Sequence, residues 1–203
     1  MVEMNSCIFL FVFFCLALGA QFFDLGNDNG DFAVLFALYI GVLVVCIRDN
    51  TIVKPAFSSK KYFGIAVILG AATAILALFL KFSIFSHSLG AETKGSLSDY
   101  YIYMLSTILL MPVVEEFFFR GILFNDLTKR FGILYSGIIT AILFIFAHLN
   151  RFENNPFFEV LSYMVPSAFL YTYLRVKTGS FYCSIAAHMT YNATLIILYS
   201  NFV

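Results

Sequence analysis

The sequence predicts an all-α protein: a polytopic transmembrane helical bundle. Two observations carry this prediction. Of 203 residues, 61% are hydrophobic and only 12% are charged, whereas a soluble domain carries about 25% charged residues. The apolar residues also fall into long runs separated by short polar segments, which is the pattern of helices that cross a bilayer. We expect one membrane domain over residues 1–203.

Seven apolar runs are evident, and each predicts one span. The first run lacks the basic residues that precede a signal-peptide core, so we interpret it as a retained span, with a cleaved signal peptide as the alternative. The fourth is broken at Pro112, which removes a backbone hydrogen bond and predicts a kink or two helical pieces. The predicted runs are residues 7–23, 32–47, 62–85, 99–128, 133–149, 156–174 and 180–203.

The basic residues predict the orientation of these spans. With seven spans, one side of the membrane collects eight basic residues and the other collects two, Lys94 and Arg151. Cytoplasmic loops carry the excess of Lys and Arg, so we predict the N-terminus inside and the C-terminus outside. The eight are Arg48, Lys54, Lys60, Lys61, Lys129, Arg130, Arg175 and Lys177. The formal net charge is zero, which gives no basis for a nucleic-acid partner.

A few ionisable residues occur within the predicted spans of the second half of the chain. Such groups are costly at membrane depth, so they face the protein interior and are candidates for function. Spacings of four place Glu116 with Arg120, and His188 with Asn192, on common helix faces, but Glu115 has no partner on its own helix. The candidates are Glu115, Glu116, Arg120, His148, His188 and Asn192.

These residue types are suited to amide hydrolysis in the membrane. A carboxylate and a histidine can activate water or bind a metal, and a second histidine with an amide can donate to an oxyanion. Two other interpretations remain open: an inert polar cluster that joins the helices, and a proton-coupled transporter. There is no His-Glu-x-x-His zinc motif and no Gly-x-Ser-Gly nucleophile.

Three motifs in order resemble those of the CPBP (Abi) intramembrane endopeptidases, which include the type II CAAX prenyl proteases and bacteriocin-processing or self-immunity proteins. Glu115-Glu116-Phe-Phe-Phe-Arg120 matches Glu-Glu-x-x-x-Arg. Phe144-Ile-Phe-Ala-His148 matches Phe-x-x-x-His, and His188-Met-Thr-Tyr-Asn192 matches His-x-x-x-Asn. Residues 99–203 carry all three motifs, whereas the first half of the chain matches nothing specific.

The resemblance implies a role for each candidate. Glu115 and His148 would activate the attacking water, His188 and Asn192 would stabilise the oxyanion, and Glu116 with Arg120 would support them. It implies a peptide or membrane-protein substrate, prenylated or of the leader type. The small size and the lack of added domains indicate a bacterial member of the family, and so the bacterial cell membrane as the expected location. A bacteriocin self-immunity or partner-binding protein without proteolysis is the alternative.

The cofactor is the other open point. A glutamate in apolar surroundings is a stronger base, which favours a glutamic-type protease without a metal. Glu115, His148 and His188 could instead ligate zinc with an open fourth position.

Overall fold

The computed structural model describes residues 60–85, 104–148 and 160–200, all within the compact unit Ala56–Val203. In these three ranges all regular structure is helical, as the composition predicts. The predicted spans 7–23 and 32–47 lie outside the described residues. The predictions of seven spans, of one domain and of the orientation of the termini therefore stay predictions.

We number the α-helices of the described residues α1 to α5. Three π-helical segments accompany them: Ser106–Leu110 and Phe117–Leu123 flank α2, and Val160–Met164 precedes α4. Such segments are rare in proteins, and many of those that do occur lie at functional sites. The α-helices are α1 (Lys60–Phe85), α2 (Met111–Glu116), α3 (Phe124–Phe146), α4 (Val165–Thr178) and α5 (Phe181–Ser200).

Three of the described helical stretches are long and apolar enough to cross a membrane: Tyr62–Lys81, Ser106–Phe146 and Phe181–Leu198. Large apolar side chains on α1 are exposed, with Ile68 at 68% and Phe79 at 62%. Exposed side chains of this kind suit contact with lipid. These features indicate an integral membrane protein.

The stretch Ser106–Phe146 differs from its prediction at Pro112 and agrees with it at Gly132. The backbone stays helical through Pro112, which occupies the first turn of α2, where its missing N–H costs little. The break lies instead at Gly132, within α3, where φ is +74°. This left-handed conformation is easily reached by glycine, and Gly132 lies in the segment 129–132 between the fourth and fifth predicted runs. The fourth and fifth predicted runs are therefore two helical pieces that meet at this glycine.

Two predicted helix ends need correction. His148 was predicted inside a span, but α3 ends at Phe146 and His148 lies in the turn that follows. Residues 175–179 fall between two predicted spans, 156–174 and 180–203, but α4 continues to Thr178 and ends at Gly179, which is left-handed. The Thr178 hydroxyl donates to the Leu174 carbonyl, which satisfies a polar group in the last turn. Arg175 therefore lies on a helix.

Small residues allow α1 to approach α5 closely. Ala66, Gly70 and Ala74 recur at intervals of four on α1, and all three are buried. A Cβ on Gly70 would lie 2.3 Å from the Ala187 carbonyl oxygen of α5. Small residues at this spacing typically let membrane helices pack backbone to backbone. Residue 187 directly precedes His188, so this contact fixes the height and rotation of the histidine.

Candidate active site

Glu116 and Arg120 form a fully buried ion pair at the end of α2. Arg120 lies in the π-helical segment Phe117–Leu123, and its Nη1 is 3.1 Å from the Glu116 Oε1. Both side chains have 0% exposure. Arg120 Nη2 donates to the Ala168 carbonyl of α4 at 3.1 Å. The intrahelical pair predicted from the spacing is present, and it also joins this helix to α4.

Aromatic rings enclose the Arg120 guanidinium. Its central carbon lies 4.4 Å from the Phe144 ring centroid and 5.5 Å from that of Tyr171. An arginine over the face of an aromatic ring is stabilised electrostatically, and more so when water is excluded. Phe144 is 1% exposed, and its ring also lies 4.5 Å from that of His148. The motif phenylalanine thus separates the buried cation from one of the histidines.

Glu116 also holds His188 of α5. The His188 Nδ1 lies 3.0 Å from the Glu116 Oε1, the same oxygen that pairs with Arg120. An ionised carboxylate only accepts hydrogen bonds, so His188 carries a proton on Nδ1 and presents Nε2 to the other side. The spacing of the motif predicted only a local partner, Arg120, for Glu116. The contact with His188 was missed, because it depends on how α5 packs.

Glu115 faces both histidines. Its Oε2 lies 3.5 Å from the His148 Nε2 and 3.8 Å from the His188 Nε2. The Glu115 side chain is 13% exposed, and the two histidines are 5% and 7% exposed. Three parts of the chain that are distant in sequence therefore bring one carboxylate oxygen and two imidazole nitrogens together at a nearly buried position. The spacing of Glu115 in the sequence led us to expect such contacts between helices.

The tautomer of His148 follows from its second contact. Its Nδ1 lies 2.8 Å from the Phe144 carbonyl oxygen. A carbonyl accepts, so Nδ1 donates, and the neutral ring keeps an unprotonated Nε2. Two acceptors, Nε2 and the Glu115 carboxylate, then face each other at 3.5 Å. A water molecule suits such a pair, since it can donate one O–H to each.

Asn192 lies one helical turn beyond His188 on α5 and is half-buried. Its Nδ2 donates to the Thr107 carbonyl at 2.8 Å. That carbonyl belongs to the π-helical segment Ser106–Leu110. The amide has two N–H groups, so one N–H remains for another acceptor. The structure thus places all six predicted residues in one region of the bundle.

Two residues that the motifs do not include also support the site. The Tyr171 ring stacks on His188 with centroids 4.5 Å apart and planes at 18°. Arg175 Nε donates to the Arg120 carbonyl at 2.8 Å, and Arg175 Nη2 donates to Asn125 Oδ1 at 2.6 Å. Both residues lie on α4, which has no motif. A helix with three aromatic and two basic residues among apolar and small ones gives no sequence signal for such contacts.

The three donors of the zinc alternative, Glu115, His148 and His188, converge. In a tetrahedral site with ligands at ~2.1 Å, neighbouring donor atoms lie about 3.4 Å apart. The Glu115 oxygen is 3.5 and 3.8 Å from the two nitrogens. Among the described residues, however, no group of three His, Cys, Asp or Glu side chains has the arrangement of a metal site. The donor chemistry fits zinc better than the full geometry does.

Comparisons with known proteins address the family. Residues 97–194 match the model of the Rce1-like family, described as type II CAAX prenyl endopeptidase Rce1-like. A protein of Bacillus subtilis (strain 168) named "Putative membrane peptidase YdiL" is 20% identical over 170 residues, which cover 77% of this chain and 67% of that protein. No solved structure matches the chain.

These matches confirm the family resemblance that the three motifs indicate. The matched segment contains all six candidate residues and ends two positions after Asn192. Together with the apolar helices, they support a membrane protease of the CAAX kind that acts on a peptide or protein substrate.

Proposed function

We propose that this chain, whose residues 97–194 match the Rce1-like type II CAAX prenyl endopeptidases, is an intramembrane endopeptidase of the glutamic type. The observation that carries the proposal is the position of Glu115 Oε2 opposite the Nε2 atoms of His148 and His188. A carboxylate with two imidazoles is a group that can take a proton from water and direct the resulting hydroxide at a carbonyl.

The attacking water would lie between Glu115 and His148. The unprotonated Nε2 of His148 and the Glu115 carboxylate each accept one of its protons, so its oxygen is left facing the substrate. Glu115 removes a proton as the oxygen attacks the scissile carbonyl carbon, and it later delivers this proton to the departing amine. General acid–base catalysis of this kind contributes roughly 10²–10⁴-fold to a rate.

His188 and Asn192 would stabilise the oxyanion. Glu116 accepts from the His188 Nδ1 and holds the ring in place, so that a protonated His188 would direct its Nε2–H at the oxyanion. Asn192 adds the amide N–H that Thr107 does not use. Preorganised donors act most strongly in a site from which water is excluded, and both His188 and Glu116 are buried.

For the substrate, we propose a prenylated or leader-type peptide, or a segment of a membrane protein, in a bacterial cell membrane. The support is the family description, which names a prenyl endopeptidase, and the Bacillus relative. Glu115 lies within the apolar stretch Ser106–Phe146, so a scissile bond must reach it from within or beside the bilayer. A lipid-modified or apolar peptide meets that requirement.

The test is cleavage by the purified protein of a panel of prenylated and leader-type peptides, with Glu115→Gln as the variant. Glutamine keeps the size of the side chain but cannot take up a proton. We expect the kcat to fall by about 10²–10⁴-fold if Glu115 is the general base, with unchanged thermal unfolding. Asp126→Asn is the matched control, because this carboxylate pairs with Lys129 away from the histidines.

Full cleavage by the Glu115→Gln variant would refute the mechanism. If neither parent nor variant cleaves any peptide, the next step is to crosslink the Glu115→Gln protein to its partners in its own membrane. A partner that the parent protein cleaves is the substrate. Partners that stay uncleaved in the presence of the parent favour the immunity or partner-binding alternative.

The metal is tested separately. We expect the active protein to contain zinc far below one equivalent, and to keep its rate after treatment with a chelator. Elemental analysis of the same sample that is assayed gives the answer. One zinc per chain, lost together with activity and restored with it, would replace the glutamic-type mechanism by a metal-dependent one.

A further inference from the structure

We propose that Pro112 is a positioning residue for Asn192, because it leaves the Thr107 carbonyl without a backbone donor and so reserves that carbonyl for the asparagine amide. The proposal rests on the proposed function, in which Asn192 donates to the oxyanion. Pro112 lies outside the three motifs, and its side chain is buried.

The backbone donors near Thr107 are the first step. A helix carbonyl accepts from the N–H four residues later in an α-helix and five residues later in a π-helix. For Thr107 these are the N–H groups of residues 111 and 112. The Met111 N–H donates to Ser106, in the π register. Residue 112 is proline, which has no N–H.

The second step is the satisfaction of that carbonyl. A carbonyl left unpaired inside a membrane protein costs several kcal/mol. The Asn192 Nδ2 donates to it at 2.8 Å across the helix interface. Because the carbonyl only accepts, the contact also decides which way the amide points. The NH2 group is turned toward the Ser106–Leu110 segment, and the plane of the amide is fixed.

The third step is the position of the fixed amide. Asn192 follows His188 by one helical turn, and His188 contacts both Glu115 and Glu116. The polar contacts between the stretch Ser106–Phe146 and α5 thus include Glu116 with His188 and Thr107 with Asn192. Pro112 lies between these two contacts in the chain. An N–H at position 112 would compete with Asn192 for the Thr107 carbonyl and release the amide to rotate.

The test is a double-mutant cycle with Pro112→Ala and Asn192→Ala. Asn192→Ala should reduce kcat by about 10²–10³-fold, as for an oxyanion donor. Pro112→Ala should reduce kcat by at least about tenfold with little change in KM, within the ~10²-fold cost of a misplaced group. The double variant should match Asn192→Ala, since the proline acts only through the asparagine.

Pro166→Ala is the matched control. Pro166 also occupies the first turn of an α-helix that follows a π-helical segment. The carbonyls four and five residues before it, which a backbone N–H at position 166 could reach, belong to no motif residue. We expect its kcat to stay within about twofold of the parent, as for substitutions without a shared partner. A parental kcat for Pro112→Ala, or losses that multiply in the double variant, would overturn the proposal.

Thermal unfolding of the parent, the two single variants Pro112→Ala and Asn192→Ala and the double variant gives a readout that does not need cleavage. The Tm shifts of the two single variants should not add in the double variant, because both variants alter one hydrogen bond. Additive shifts would overturn the positioning role even if the parent protein proved inactive. A parent without activity but with coupled Tm shifts would refute the proposed function and leave the Pro112–Asn192 coupling in place.

Discussion

One oxygen of Glu116 serves two helices. It accepts from Arg120 on its own helix and from His188 on α5. The arrangement resembles the way in which a buried carboxylate orients a catalytic histidine in hydrolases with a catalytic triad. Glu116 is therefore more than a local counter-ion for Arg120. The two neighbouring glutamates differ in their contacts: Glu116 holds the imidazole of His188, and Glu115 faces both histidines.

Arg120→Met should destabilise the protein strongly. Methionine removes the cation beside a fully buried carboxylate, and breaking a buried pair by removing one partner costs about 3–5 kcal/mol. The measurement is thermal or denaturant unfolding in detergent. Lys129→Met is the control, because Lys129 pairs with Asp126 at 3.5 Å with 66% of its side chain exposed. Exposed pairs contribute about 0–1 kcal/mol.

The double variant Glu116→Met with Arg120→Met separates stability from function. Apolar replacement of a whole buried pair is often neutral, so the double variant should recover much of the stability lost by the single one. It should stay inactive, because His188 has lost the carboxylate at Nδ1. A double variant that cleaves at the parental rate would show that Glu116 does not orient His188.

The residue scale also shows where the sequence is informative. Carboxylates and histidines are rare in apolar runs, so Glu115, His148 and His188 were evident from the sequence, and the missing local partner of Glu115 predicted contacts between helices. The Thr107–Asn192 bond was not evident. It depends on a change from π to α register, and residue patterns at helical spacing do not reveal that change.

At the scale of elements, the packing of α1 against α5 deserves a test, since α1 lies outside the segment that matches the family. Gly70→Ala should lower both stability and kcat. Its Cβ would meet the Ala187 backbone at 2.3 Å, and a core residue that is too large typically costs about 1–3 kcal/mol. To relieve this overlap the two helices would have to move apart at Ala187, which would displace His188, the next residue along α5.

Gly64→Ala provides the matched control on the same helix. Nothing lies within 4 Å of a Cβ on Gly64. At an exposed helix position alanine is more stabilising than glycine by roughly 0.5–1 kcal/mol. This variant should be as stable as the parent or slightly more stable, with an unchanged kcat. If Gly70→Ala behaved like Gly64→Ala, the close approach of α1 to α5 would be wrong.

The elements also show the limits of sequence patterns. The bounds of α1 and α5 and the end of α3 were all predicted within three residues from hydropathy, but at α3 this small difference moves His148 out of the helix and into the turn. Hydropathy continues through His148 to Leu149, so it gives no sign of the turn. The His148 Nδ1 hydrogen bond to the Phe144 carbonyl, near that end, is a feature of the fold.

At the scale of the whole molecule, the orientation in the membrane is the prediction to test. The measurement uses the variants Lys177→Cys and Lys94→Cys, each in a cysteine-free background. The cysteine at position 177 should react with a membrane-impermeant thiol reagent from the cytoplasmic side, and the cysteine at position 94 from the other side. Lys129, replaced likewise, should agree with Lys177. The physical reason is the excess of basic residues on the cytoplasmic side. Labelling of positions 94 and 177 from the same side would contradict the seven-span arrangement.

The position of Glu116 and Arg120 on a single helix has a consequence for biogenesis. The two charges are four residues apart and can pair as soon as that turn of helix forms, before any other helix is present. The segment therefore enters the bilayer with these two charges already compensated. Several hydroxyl groups are satisfied in the same way by carbonyls four residues earlier, among them Thr128, Thr140 and Thr190. Glu115, His188 and Asn192 differ from these side chains, because their contacts with other helices form only when the bundle assembles.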